Sequence, residues 1–224
     1  MKIIILGTIA YSFYGFRADL IQELVRQQHT VYAFTSEYTQ DELKKIEKLG
    51  AIPVTYSLNR GGLNPVADIT AAYHLSKVIK KIAPDVVFSY FSKPVIFGTL
   101  AAKIAKVPQV VGMLEGLGYC FTDQPEGLSK KVKVIKGIQV LLYKIALPRL
   151  NRLIFLNADD PNDLLKRYKI QVKQVNVLGG IGLNLSQYKY QSIVNIEEPI
   201  KFLFIGRLLK EKGVHDLISA IKIV

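Results

Sequence analysis

The chain has a single cysteine, Cys120, no tryptophan, and three scattered histidines, His29, His74 and His215. One thiol excludes a disulfide framework and any cysteine-based zinc cluster. It is compatible with a reducing compartment without requiring one. Three dispersed imidazoles form a metal site only if the fold gathers several carboxylates around them, so no metal is expected. Acidic residues are also scarce, 18 against 30 Lys and Arg, for a net charge of +12. Such an excess favours polyanionic partners: nucleic acid, anionic lipid headgroups or phosphorylated substrates. Uncharged windows of about 18 residues are missing too, so no transmembrane helix is expected. The longest apolar stretch, Val86 to Ala102, is interrupted by Lys93 and Pro94. At the amino terminus, Ile3 to Gly7 is too short for a secretory core and lacks a cleavage site. These absences point to a cytoplasmic chain that meets a membrane, if at all, from its cytoplasmic face.

What is present is an ordinary globular mixture: 224 residues, half of them hydrophobic and 21% charged. Disorder is excluded as the dominant state, and the length suits one domain with the start of a second. Short β-branched runs alternate with helical patterns along the chain. Strands are expected at Lys2–Gly7, Thr30–Thr35, Ala51–Ser57, Asp85–Phe91, Pro108–Leu114, Arg152–Asn157 and Gln174–Leu178. The intervening helices are expected from about Phe16 to Gln28, Thr39–Gly50, Pro65 to about Ile82, Pro94–Lys106, Leu128–Leu150 and Asp159–Tyr168. Buried-type strands alternating with helices argue for a doubly wound parallel α/β sheet, Rossmann-like, with right-handed crossovers. After Gly182 a polar connector intervenes, and the pattern restarts with a strand at Lys201–Ile205 and a helix from Val214. We therefore expect one domain over 1–190, a linker at 191–199, and at 200–224 the first βα unit of an incomplete second domain.

Ligands of open α/β sheets bind outside the carboxyl ends of the strands. Two features there carry chemistry. Arg17 follows the Tyr14-Gly15-Phe16 run at a helix start, where free N–H groups attract anions. It is either a bidentate contact to an anionic ligand or a solvent-facing residue of the first turn. Glu115-Gly116-Leu117-Gly118-Tyr119 places a carboxylate directly after a buried strand, between residues that permit close backbone approach. Glu115 either meets a ligand hydroxyl, caps a neighbouring helix, or pairs with a lysine. Tyr119 and Phe121 line an apolar groove or fill the core. Neither a dinucleotide fingerprint nor a Walker pattern occurs, so NAD and P-loop chemistry are disfavoured and no cofactor is expected.

Between Leu128 and Arg152 lie seven basic residues and no acid. A helical wheel groups Val134, Ile135, Ile138, Leu141, Leu142 and Ile145 on one face, with Lys130, Lys133, Lys136 and Lys144 roughly opposite. That helix packs on the sheet with a solvated basic side, and the same side suits an anionic membrane surface. Nucleic acid, which prefers interleaved basic and aromatic residues, is not an expected partner.

Taken in order, Tyr14-Gly15-Phe16-Arg17, Arg60-Gly61-Gly62-Leu63-Asn64-Pro65, Glu115-Gly116-Leu117-Gly118-Tyr119 and Phe204-Ile205-Gly206-Arg207-Leu208 with Glu211-Lys212-Gly213 make the sequence resemble a known family. It is similar to the amino-terminal domain of family 4 glycosyltransferases of the two-domain GT-B fold. Within them it resembles the subgroup that elongates sugars on undecaprenyl-diphosphate carriers. The resemblance implies a retaining, metal-independent transfer from a sugar nucleotide, a UDP-sugar, to a polyprenyl-diphosphate-linked glycan at the inner membrane. It assigns the donor diphosphate to Gly206, Arg207 and Lys212. The acceptor falls to Tyr14, Phe16, Arg17, Arg60, Glu115, Gly116, Gly118 and Tyr119. The family's Glu-x7-Glu stretch lies beyond residue 224, so the resemblance leaves the catalytic residues unassigned, with Glu115 the candidate at hand. It also implies that this chain alone is inactive. Sugar-nucleotide epimerases share the architecture, and a non-enzymatic membrane-binding fragment is the remaining alternative.

Overall fold

Strand β1 (Lys2–Leu6) lies at the centre of a sheet whose order is β3-β2-β1-β4-β5-β6-β7, every pairing parallel. The other strands are β2 (Thr30–Thr35), β3 (Ile52–Thr55), β4 (Val86–Tyr90), β5 (Gln109–Leu114), β6 (Arg152–Phe155) and β7 (Val175–Val177). This computed structural model describes residues 1–58, 65–122, 127–192, 200–206, 208 and 212–223. They form two units, Met1–Phe121 with Ser129–Gly182, and Thr122–Leu128 with Leu183–Val224. The doubly wound parallel sheet expected from the alternation is present in the first unit.

The helices follow from local signals. Helix α3 (Gln40–Lys48) starts on a reciprocal cap, in which the Thr39 side chain accepts from the Glu42 N–H and Glu42 accepts from the Thr39 N–H, satisfying two otherwise orphaned donors. Helix α4 (Pro65–Ile82) opens on proline, as expected. The helix expected from Phe16 is instead two, α1 (Tyr11–Phe16) and α2 (Ala18–Arg26), broken at Arg17, whose φ of −126° is not helical. The segment after β4 begins as a π-turn, Pro94–Gly98, before continuing as α5 (Thr99–Ile104). Helix α6 (Lys130–Ala146) follows, its Ser129 cap accepting from the Val132 N–H. Another π-turn, Pro161–Lys166, replaces the regular helix expected there.

Side chains alternate across the sheet. Ile3, Ile5, Val31 and Ala33 pack with Phe13, Ile21 and Ile46 of α1, α2 and α3. Ile4, Leu6, Phe34 and Val87 face the opposite layer, which includes Leu75 and Ile79 of α4, Ala101 of α5 and Tyr143 of α6. Right-handed crossovers explain this division, because stepping from β1 to β3 and from β4 to β7 moves in opposite directions and so places the helices on opposite faces. Among the described residues, one half-face is consequently left without a helix. Val86, Phe88, Val111, Met113 and Ile154 floor an apolar groove there of about 440 Å³.

In the second unit, the strand expected at Lys201–Ile205 is not formed among the described residues. A strand requires a hydrogen-bonded neighbour, and Phe202 is 90% exposed. The helix expected from Val214 is present as α7 (Val214–Ile221).

Gly98 tests the packing of the π-turn. A methyl group there would overlap Leu6 Cδ2 and lie 2.8 Å from Ser89 Oγ. Overpacking costs about 1–3 kcal/mol, whereas glycine-to-alanine in a helix returns about 1. Gly98→Ala is therefore expected to lower stability by up to about 2 kcal/mol in urea titrations, and a stabilised variant would show that this turn is not pressed onto β1 and β4.

Candidate functional site

The sheet changes winding direction between β1 and β4, where an open α/β fold leaves a crevice beyond the strand ends. Thr8 and Ile9 follow β1 into two adjoining hollows. One, of about 280 Å³, is completed by Phe91, Ser92, Lys93 and Pro94. The other, of about 300 Å³, is completed by Ala10, Ser36, Glu37, Tyr38, Thr39 and Glu42. Phe91 holds φ at +67°, a left-handed conformation in which bulky residues are strained and which concentrates at functional sites. Lys93 is anchored at 3.0 Å to Asp68, a buried carboxylate in the first turn of α4. The sequence reading did not single out this pair. Its only signal was a charged residue and a proline interrupting an apolar run.

Arg17 and Glu115, both named from sequence, meet. Arg17 is 2% exposed, and its Nη2 forms an ion pair with Glu115 Oε1. Its guanidinium stacks on the Tyr90 ring, 3.4 Å from the centroid, and Nη1 donates to the Ser12 carbonyl at 3.3 Å. Burial lowers the Arg17 pKa to about 10, an effect opposed by Tyr90, so it stays charged at neutral pH. The counter-charge that a cation at a helix start requires is thus supplied by the protein. Arg17 is therefore not solvent-facing, and the helix break at this residue accompanies the inward turn of its side chain.

The platform beneath it is equally specified. Ser12 Oγ donates its only proton to the Ile9 carbonyl at 2.6 Å, so the Tyr90 hydroxyl donates to Ser12 Oγ, also at 2.6 Å. Burial pushes the Tyr90 phenol up to about 12 despite Arg17 and Ser12. Gly7 is required by close approach, since an added Cβ would overlap that phenol. Glu115 itself is 20% exposed. Gly116 and Gly118 hold φ at +136° and +84°, and a Cβ on either would meet no atom within 4 Å. Backbone conformation therefore explains glycine at both positions, and among the described residues nothing fills the space beside Glu115.

The other assigned residues are more dispersed. Tyr14 and Phe16 each stack edge-on against Tyr11, Phe16 remaining exposed. Tyr119 is exposed, while Phe121 packs against Tyr143 and Tyr168 and so fills core space. Arg60 and Arg207 lie outside the described residues. Gly206 and Lys212 are exposed. Among the described residues no three His, Cys, Asp or Glu side chains converge as a metal ligand set.

Helix α6 corrects the wheel. Its buried side is Val140, Tyr143 and Ala146. Val134, Leu141 and Ile145 are 62%, 58% and 40% exposed and share the surface with Lys130, Lys131, Lys133 and Lys144. Lys136 is half-buried over the Phe121 ring. The phase is set by Tyr143, fully buried with Gln139 Nε2 donating to its hydroxyl at 3.2 Å. No helix among the described residues is long and apolar enough to cross a membrane.

Comparison with known sequences decides the family. The glycosyl transferase 4-like family matches residues 2–157. The chain belongs to it. One relative, 28% identical over 96% of this chain, is the N,N'-diacetylbacillosaminyl-diphospho-undecaprenol alpha-1,3-N-acetylgalactosaminyltransferase of Campylobacter jejuni. Another, 26% identical over 71% of this chain, is the UDP-Gal:alpha-D-GlcNAc-diphosphoundecaprenol alpha-1,3-galactosyltransferase of Escherichia coli. The chain spans 58% and 41% of their respective lengths. A glycosyltransferase structure from Rickettsia africae shares the fold with a TM-score of 0.55, at 17% identity over 84% of this chain and 45% of that one.

Breaking a buried ion pair by removing one partner costs about 3–5 kcal/mol, whereas replacing both by apolar groups is often neutral. With Glu115 partly exposed, Arg17→Met is expected to cost about 3 kcal/mol. Arg17→Met combined with Glu115→Leu should recover most of that loss, as followed by urea denaturation. A double variant as unstable as the single would mean that the destabilisation does not come from an unpaired carboxylate.

Proposed function

We propose that the protein carrying this chain is a retaining, metal-independent glycosyltransferase that moves a sugar from a UDP-sugar to a polyprenyl-diphosphate-linked glycan. The observation that carries this reading is the pairing of family membership with a fixed carboxylate, Glu115, opening onto free space beyond the β5 end. Both curated relatives are named for diphospho-undecaprenol sugar acceptors, and one for a UDP-linked donor. In this reading residues 1–190 form the acceptor side, 191–199 the linker, and 200–224 the start of the donor side. There Arg207 and Lys212 would stabilise the negative charge of the departing nucleotide diphosphate. Glu115, Tyr119, Tyr14, Phe16 and Arg60 are the proposed acceptor contacts.

The activity test uses the whole protein and a synthetic prenyl-diphospho-N-acetylhexosamine with common UDP-sugars. Transfer is expected from the whole protein and none from the 224-residue chain, which spans 58% and 41% of the lengths of the two relatives. Turnover by the 224-residue chain would remove the requirement for a second domain, and inactivity of the whole protein with every donor would refute the reading.

A lipid-linked acceptor does not leave the bilayer, so in this reading its enzyme works at a membrane surface, for which we propose the cytoplasmic face of the inner membrane. The exposed side of α6 suits that task, combining four lysines with three apolar side chains. Four lysines near an anionic surface contribute about 4 kcal/mol at roughly 1 kcal/mol each. Insertion of Val134, Leu141 and Ile145 adds about 1.5–3 kcal/mol per side chain that is fully buried. Salt screens only the first contribution. Co-sedimentation with anionic liposomes is therefore expected to weaken in 1 M salt without vanishing. It should fall for Lys130, Lys131, Lys133 and Lys144 changed to Gln, and separately for Val134, Leu141 and Ile145 changed to Ser. Equal binding by the parent and both variants would leave α6 a solvated structural helix.

A further inference from the structure

The family resemblance casts Arg17 as a direct ligand of the acceptor, but its surroundings give it another task. Its guanidinium is buried, and its contacts with the Tyr90 face, the Ser12 carbonyl and Glu115 are all internal. Glu115, by contrast, keeps an exposed edge next to the open space at Gly116 and Gly118. We infer that Arg17 is a positioning residue, which holds the Glu115 carboxylate fixed in an ion pair so that Glu115 accepts a hydrogen bond from a sugar hydroxyl of the acceptor. This rests on the proposed acceptor reading and deepens it.

Three features support the assignment. An ionised carboxylate has no proton to give, so it can only accept, and a hydroxyl is the complementary donor. Fixing that carboxylate requires a rigid partner, and a planar guanidinium stacked on an aromatic ring loses little freedom on pairing. The ring is itself immobilised, since Tyr90 is fully buried and donates to Ser12 Oγ. Arg17 thus transmits the rigidity of β4 to a side chain at the end of β5 without meeting the substrate.

The test measures calorimetric binding of two probes to the 224-residue chain: a C15 prenyl-diphospho-N-acetylhexosamine, and C15 prenyl diphosphate lacking the sugar. Loss of a hydrogen bond to a charged group corresponds to roughly ten- to hundred-fold weaker binding. Glu115→Gln is expected to weaken the sugar-bearing probe by about that factor, again roughly ten- to hundred-fold. Arg17→Met should do the same, and the double variant should be no weaker than either single. Arg17→Lys, which keeps the charge, should restore part of the loss. All of these variants should bind the sugar-free probe like the parent. Should Arg17→Met not fold by circular dichroism, Arg17→Lys completes the same cycle with Glu115→Gln. Additive losses, or weakened binding of the sugar-free probe by Arg17 variants, would make Arg17 a direct phosphate ligand and overturn the inference. If the parent binds neither probe, the acceptor reading fails first and the inference falls with it.

Discussion

A guanidinium removed from water must be neutralised in place, and around Arg17 that requirement organises several otherwise unrelated features. The helix after β1 breaks in two so that the side chain can turn inward. Tyr90 ends β4 as a stacking surface, Ser12 supplies both a carbonyl acceptor and a tether for the phenol, and Gly7 clears space for that phenol. Glu115, four strands further along the sequence, provides the charge. An unpaired charge in such a place is among the most expensive defects a fold can carry. The residues of the cluster therefore act as one unit.

The order of the strands decides where that unit sits. With β1 and β4 adjacent and the chain winding away from them in both directions, the fold leaves a crevice beyond the strand ends at the centre. Thr8, Ile9, Phe91, Ser92 and Lys93 line that opening, and the segment after β5 brings Glu115 alongside Arg17. The same winding rule places α4 and α6 in the layer opposite α1 to α3, so the basic and apolar surface of α6 belongs to a different face from the Arg17 break.

Much of this architecture was legible before any coordinates. Buried β-branched runs such as Lys2–Gly7 and Pro108–Leu114 specify strands locally, and Pro65 marks a helix start by its fixed φ. Glu115 was legible as a carboxylate followed by two conformationally free glycines, Gly116 and Gly118. Its partner was not, because Arg17 is about a hundred residues away and its inward turn depends on a break that no capping residue announces. The phase of α6 was misread for a related reason. Its apolar residues nearly encircle the helix, and the choice of buried side is made by Tyr143 finding room beneath Phe121, a tertiary fact. At Lys201–Ile205 the β-type pattern is real, but a lone apolar run cannot satisfy its own backbone.

The uncovered half of the sheet over β4, β5 and β6 has a thermodynamic consequence. Its apolar floor and the flanking Leu20, Leu24, Leu178 and Ile181 exist as a surface only in the native state. Whatever occupies that groove, whether protein or solute, binds the folded form selectively and shifts the folding equilibrium by mass action. The stability of this unit is therefore not a single constant of its sequence. It is a linked quantity, and a denaturation midpoint for it has meaning only together with the concentration of whatever lies on that face.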